Sequence, residues 1–412
     1  MPTPHHLLAL GVITMVVLAG CRQRATVVHE EPTPSASSVT SSAVGASRAS
    51  DAAVAALEAF FADPKAPLVP SIEDALYLDL ETCAMKGEEV DPDCAGYKAW
   101  RSAEGRHSRT DNVGSKRVAQ GQIMSPGAAT RCVAASVIAQ VWGPDTTSVL
   151  LDAANKEQVP DVLACMVRRG HVTWTTYPTP AVTSFLSRMT ENESEVVRRA
   201  AVGRLLFPRG ITTDYPDGFL KAADRIERDP SIALRAFVCE NLYETEDERA
   251  LPLFAKHLEA KDTPNELYAA CFSGVVSAWA RNPRHEKPSR AAYELTMKLL
   301  EAKPRTQTRP PSDGLGMVGL ASATAKSDDR EDQGWSKKVA PWYRPDRLRT
   351  VLEDLALDAD AHVETRSSAV FVLKQLGAPK ATFTRMAKAC EKQGERCTQT
   401  SAYSSLMASG GP

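Results

Sequence analysis

Six stretches of this chain repeat one pattern: a patch of small residues, often after an arginine, set one turn before an apolar stripe. They are ATRCVAASVIAQVWG (129–143), VPDVLACMVRRG (159–170), SEVVRRAAVGRLLFP (194–208), SIALRAFVCENLYE (231–244), NELYAACFSGVVSAWARN (265–282) and HVETRSSAVFVLKQLG (362–377). An apolar stripe at helical spacing must be buried against a neighbour, so each stretch predicts a packed helix. Second helical stretches with acidic or proline-led starts stand between them: DTTSVLLDAANK, ERALPLFAKHLEAK, SRAAYELTMKLLEAK and PDRLRTVLEDLALDAD. Upstream, Asp51 can cap AAVAALEAFFA, and Ser71 opens SIEDALYLDLETCAMKG. Aromatics are sparse, at 6%, which favours helix over an aromatic-rich sandwich.

Arg131, Arg198, Arg235, Tyr268 and Arg366 serve as anchors for an alignment. Their successive intervals are 67, 37, 33 and 98 residues, and 67 and 98 lie close to two and three multiples of 33. A loose period of 33 to 37 residues with two helices in each suggests stacked pairs. The phrases Glu193-Ser194-Glu195-Val196-Val197-Arg198-Arg199-Ala200-Ala201 and Asp229-Pro230-Ser231-Ile232-Ala233-Leu234-Arg235-Ala236 resemble the opening of the inner helix in HEAT-type repeats. The resemblance is best over 125–282, with a further unit at 345–377. It implies an all-α fold, an α-solenoid of HEAT-like helix pairs. The expected organisation is a helical cap region over 51–125, repeats over 126–302, an irregular insertion over 303–345, and a C-terminal repeat and cap over 346–412. The insertion holds GLGMVGLASATA, which could form a glycine-loosened helix, and carries Trp335, Trp342 and Tyr343. Aromatics on a polar loop are candidates for a contact site, and pinning of the loop to the stack is the other reading.

Nine cysteines are present, and setting Cys21 aside leaves an even eight. Eight cysteines admit about a hundred pairings, so connectivity is not fixed by sequence. The sequential pairing Cys83–Cys94, Cys132–Cys165, Cys239–Cys271 and Cys390–Cys397 is the expectation, with buried free thiols as the alternative. Two of these separations, 33 and 32 residues, equal one repeat. Cysteines at like positions on neighbouring inner helices could then bridge adjacent units, each closure contributing about 3–4 kcal/mol in the chain-entropy model.

The N-terminal run LLALGVITMVVL (Leu7–Leu18) is too short to span a bilayer and fits the apolar region of a signal peptide. Leu18-Ala19-Gly20-Cys21 follows, and resembles the bacterial lipobox. That resemblance implies removal of residues 1–20, a diacylglycerol on the Cys21 thiol and a further acyl chain, such as palmitate, on the new amine. Each buried CH2 contributes about 0.8 kcal/mol, so two or three chains anchor a protein where one would not. Arg22 replaces the aspartate that favours inner-membrane retention in enterobacterial lipoproteins, so the expected site is the outer membrane, facing the periplasm. Residues 21–50, rich in Ser, Thr, Ala, Val and Pro, are expected to form a disordered tether, with a flexible reach of roughly 30 Å and a stretched one of about 100 Å.

No H-E-x-x-H, G-x-S-x-G, P-loop or G-x-G-x-x-G occurs, and the eight histidines are scattered. A net charge of −2 gives no electrostatic case for nucleic acid. No C-x2-C pair suggests zinc. Glu88, Glu89, Asp91 and Asp93 could hold a divalent cation, but lack the order of an EF-hand loop, and a solvated loop is the expectation. No cofactor or metal is therefore expected. The functional expectation is a non-catalytic envelope scaffold, tethered by lipid on Cys21 and binding a protein partner. An envelope enzyme or accessory acting on peptidoglycan or polysaccharide is the alternative.

Overall fold

Prolines and capping hydroxyls divide the chain into helices. Pro70, Pro144, Pro160, Pro180 and Pro345 each occupy the first residue of a helix, where the missing N–H is not needed and φ is preset. Thr179, Ser231 and Ser289 cap three others, their hydroxyls accepting from the N–H of Val182, Leu234 and Ala292. Ser71 does not cap: the helix begins a residue earlier, because Pro70 suits its first turn.

A computed structural model describes residues 51–104, 106, 112–140, 144–170, 173–174, 179–206, 215–245, 248–280, 287–306, 309–324 and 337–410. The expected signal peptide, Leu18, Ala19, Gly20 and Cys21, the tether and Trp335 lie outside these residues. The described body is all-α. It opens with α1 (Asp51–Ala62) and α2 (Pro70–Leu80), a hairpin of β1 (Met85–Lys86) and β2 (Glu89–Val90), then α3 (Ala95–Glu104) and α4 (Asn112–Gln122).

Helix pairs follow. They are α5 (Ala128–Gln140) with α6 (Pro144–Lys156), α7 (Pro160–Arg169) with α8 (Pro180–Met189), α9 (Glu195–Leu206) with α10 (Tyr215–Ile226), and α11 (Ile232–Asn241) with α12 (Leu251–Glu259). Next come α13 (Asn265–Trp279) with α14 (Arg290–Glu301), α15 (Ser312–Thr324) with α16 (Pro345–Leu357), and α17 (Val363–Gln375) with α18 (Lys380–Lys392). Short α19 (Glu395–Thr398) and α20 (Ser401–Gly410) end the body.

The first members form one layer, each packed on the next: α5, α7, α9, α11, α13, α15, α17 and finally α20. The second members form the other layer, with α6 on α8, α8 on α10, α12 on α14, α14 on α16 and α16 on α18. This is a solenoid-like stack. Burial follows the layers. Outer α14 buries one stripe, Ala292, Tyr293, Thr296, Met297 and Leu300. Inner α13 touches neighbours on several sides and buries Leu267, Tyr268, Cys271, Phe272, Val275, Val276 and Trp279.

The cysteines pair in the sequential order. Cα separations are 5.7 Å for Cys83–Cys94, 5.7 Å for Cys132–Cys165, 4.8 Å for Cys239–Cys271 and 5.2 Å for Cys390–Cys397. The second bridge joins α5 to α7 and the third joins α11 to α13, both between consecutive inner helices.

Two expectations need correction. The segment 303–345 is not wholly irregular, because α15 lies within it and packs as an inner helix between α13 and α17. The 98 residues from Tyr268 to Arg366 therefore hold two steps of the stack rather than three. The excess length runs in the connections on either side of α15.

Small residues set how closely inner helices meet. A Cβ on Gly274 would collide with the carbonyl oxygen of Cys239 on α11, whereas one on Gly203 would sit 3.6 Å from the Phe237 ring, an ordinary contact. Gly274→Ala should therefore destabilise the body by about 1–3 kcal/mol, and Gly203→Ala should stabilise it by up to about 1 kcal/mol. Urea unfolding of the two variants measures both, and a neutral Gly274→Ala would contradict this close packing.

Candidate functional site

The connections that run from an outer helix to the next inner helix stack along one edge of the body, and polar chemistry concentrates there. Arg131 stands one turn into α5. Its Nε and Nη2 donate to Glu157 at 2.6 and 3.0 Å, and its Nη1 donates to the carbonyls of Ser125 and Pro126. Glu157 lies just before α7, and its Oε1 also accepts from the N–H groups of Gln158 and Val159. Arg198 repeats the arrangement one and then another step along. Its Nε and Nη2 donate to Asp229 at 2.6 and 3.0 Å, and its Nη1 donates to the carbonyls of Asn192 and Glu193. Asp229 lies just before α11 and accepts from Ser231 N–H. A bidentate guanidinium–carboxylate pair with the spare donors on backbone satisfies both charges out of water. The Arg198 and Asp229 side chains are only 12% and 6% exposed.

Later steps vary the theme. Tyr268 takes the anchor position on α13, and Arg309 arrives from the following connection. Its guanidinium lies 4.2 Å above the Tyr268 ring and donates to the carbonyls of Ala260 and Thr263. Arg305 is buried, and donates to Asp354 and Asp358 at 2.8 and 2.9 Å and to the Leu300 carbonyl. Arg366 is buried too, and donates to the Ala356 carbonyl and to Cys397 Sγ.

Two clefts open on this edge. One, of about 500 Å³, is lined by Glu191, Glu193, Arg198, Arg225, Arg228 and Asp229 among others. The other, of about 720 Å³, is lined by Lys303, Arg305, Asp354, Asp358, Asp360 and Gln393 among others. Both carry charges of both signs, with exposed Arg225 and Glu191 already paired at 2.8 Å.

A third pocket lies between α10, α11 and α12. Glu227 Oε1 lies 2.8 Å from Lys256 Nζ and 3.3 Å from His257 Nε2, and Arg235 faces the same space. Its other walls are apolar: Ala223, Ile226, Val238, Leu242 and Leu253. The volume is about 20 Å³, room for one water-sized molecule. Burial holds His257 below its ordinary value against the pull of Glu227, so the ring is neutral at pH 7.

The residues singled out from sequence fare differently. Trp342 and Tyr343 pack against the stack. The Trp342 ring lies 5.3 Å from that of Tyr293, and Tyr343 lies 5.8 Å from Tyr293 and 6.1 Å from Trp279. This aromatic cluster pins the connection to α13 and α14, where apolar rings lose more exposed to water than packed. Glu88 and Glu89 both pair with Arg168 on α7, while Asp91 pairs with Lys86 and Asp93 with Lys98. The acidic run is thus spent on the protein's own cations. Among the described residues no group of His, Cys, Asp and Glu is placed to hold a metal ion, and no helix is long and apolar enough to cross a membrane. On α9, Arg198 enters its ion pair and the neighbouring Arg199 lies 5.4 Å from the Phe237 ring. Sequence reasoning missed Glu157, Asp229, Arg305 and Arg309. A signal existed for the first two: an acid shortly before the next inner helix, 26 or 31 residues after the anchor arginine.

The chain matches no protein-family model and no curated protein.

Two tests follow from this edge and its neighbouring pocket. Arg198→Ala leaves Asp229 buried without its cation and should cost about 3–5 kcal/mol in urea unfolding, whereas Arg198→Met with Asp229→Leu should recover most of that. An equal loss in the double variant would show that the pair is not what matters. His257 has a lowered folded-state pKa, so the unfolded chain binds a proton that the folded one refuses. Stability should fall as pH drops below the ordinary histidine value of about 6.5, and His257→Gln should flatten that slope.

Proposed function

We propose that this chain is a lipid-anchored protein of the bacterial envelope whose helical stack is a non-catalytic scaffold for a protein partner. One observation carries the anchoring: eight of the nine cysteines lie in four disulfide pairs, and the ninth, Cys21, is the cysteine of the lipobox-like phrase. Bridges of this number suit an oxidising compartment, which agrees with export. The lack of aspartate after Cys21 favours the outer membrane with the body in the periplasm.

The scaffold reading draws on the edge of stacked connections. Its two open clefts offer charges of both signs, held rigidly by buried guanidinium pairs, and a partner reads such a surface by complementary charge. The alternative, an enzyme acting on peptidoglycan or polysaccharide, gains nothing from the Glu227–His257 pair. The space beside that pair is too small for a sugar ring.

In cells fed an alkyne-bearing palmitate, the wild-type chain should take up label and Cys21→Ser should not. An unlabelled chain with an intact mass starting at Met1 would overturn the anchoring. Crosslinking with the tethered protein should recover a defined partner that is lost in Arg225→Glu/Arg228→Glu. A partner retained at full yield would remove the cleft between α8 and α11 from the interface.

A further inference from the structure

Arg366 stands at the anchor position on α17, the position that Arg198 holds on α9. Arg198 meets a carboxylate 31 residues later, Asp229, and Arg366 meets a sulfur 31 residues later, Cys397. Sulfur thus replaces carboxylate at an equivalent place in the stack. Arg366 is 2% exposed, and its Nη2 lies 2.7 Å from Cys397 Sγ. Its remaining partners are the carbonyls of Ala356 and Arg396, which carry no charge. Asp358 attracts it through space but is engaged by Arg305 at 2.9 Å. Glu391 and Lys392 at the end of α18 and Glu395 and Arg396 at the start of α19, between the two cysteines, are exposed to water. With Cys397 oxidised, the buried guanidinium has no anion of its own; with Cys397 as a thiolate, it does.

We propose that Cys390–Cys397 is a redox-active bridge, and that its reduction leaves Cys397 as a thiolate paired with Arg366. The co-reactant is a dithiol. One thiolate of the dithiol attacks Cys390 Sγ, the S–S bond breaks, and its electron pair leaves on Cys397 Sγ beside the guanidinium. The second thiol of the dithiol attacks the resulting mixed disulfide and releases Cys390, which takes a proton. The dithiol ends as a disulfide, and the protein ends with one thiol, one thiolate and one proton released. A nearby cation lowers the pKa of the leaving thiol, which speeds that step and favours the reduced form.

Access comes from this segment itself. Residues 391–396 are exposed and turn through Gly394 at φ +72°, so local opening of a short surface segment uncovers the buried sulfurs. The other bridges differ in setting: Cys132–Cys165 and Cys239–Cys271 lie inside the layer of inner helices, and Cys83–Cys94 closes the hairpin.

The full chain should be equilibrated with mixtures of reduced and oxidised dithiothreitol, alkylated, and read bridge by bridge by mass spectrometry. Cys390–Cys397 should be half reduced at a reduced-to-oxidised ratio at least tenfold lower than any other bridge. Opening together with the others, or after them, would overturn the proposal. Exposure alone could make a bridge labile, so a second readout isolates Arg366. In full-length Cys21→Ser/Cys390→Ser, Cys397 is the one unpaired thiol, and thiolate absorbance at 240 nm should titrate at least one pH unit below the free-cysteine value of about 8.5. Titration at or above that value would overturn it. Adding Arg366→Lys should retain most of the lowering and Arg366→Met should abolish it. If the Met variant does not fold, the Cys21→Ser/Cys390→Ser titration decides alone.

Discussion

The stack depends on how an arginine at the start of an inner helix is satisfied. A helix leaves the connection before it with carbonyls that no helical N–H can reach, and in this two-layer array such connections run along one edge. Arg131 and Arg198 resolve this by donating backward to two carbonyls and forward to a carboxylate ahead of the next inner helix. One side chain therefore ties three consecutive stretches of backbone together. Bidentate geometry keeps the charge neutralised while water is excluded. The inner helices then pack through alanine, valine and leucine, with two disulfides and the close approach at Gly274 between them. The polar edge adds a directional contact at Arg131 and Arg198, as buried polar pairs do in other helical assemblies.

Much of this was legible before any coordinates. The alternation of small-patch and acid-led helices points to paired helices, and the starts of α5, α7, α9, α11 and α13 follow that rhythm. Cysteine spacing at one repeat length points to bridges between neighbours, where Cys132–Cys165 and Cys239–Cys271 lie. What was not legible has a common cause. The stretch GLGMVGLASATA could be read as a glycine-loosened helix, but its place as an inner helix between α13 and α17 is set by packing that its sequence does not report. Trp342 and Tyr343 stand among charges in sequence, yet meet Tyr293 from some fifty positions upstream. Arg309 serves a connection that precedes it by more than forty residues. Local pattern reports the helix a residue belongs to, and not the turn it completes elsewhere.

The polar edge and the aromatic cluster both hold connections to the stack. Towards the N-terminus the connections are short and charge-paired, and the disulfide-closed hairpin reaches across to Arg168 through Glu88 and Glu89. The connection after α15 is long and is held by rings: Trp279, Tyr293, Trp342 and Tyr343, with Trp279 Nε1 donating to Thr296 at 2.9 Å. Aromatic packing thus joins the buried guanidinium pairs where the connections are long.

The bridges between inner helices have a mechanical consequence. Cys132–Cys165 makes α5 and α7 one covalent block, and Cys239–Cys271 does the same for α11 and α13. Load applied along the stack passes through these blocks without stretching them. The joint between α9 and α11 still has the Arg198–Asp229 pair across it, but the joint between α7 and α9 has neither a bridge nor such a pair among the described residues. Under tension the two helices of each block cannot part until an S–S bond is broken, so extension falls on the joints that no bridge crosses.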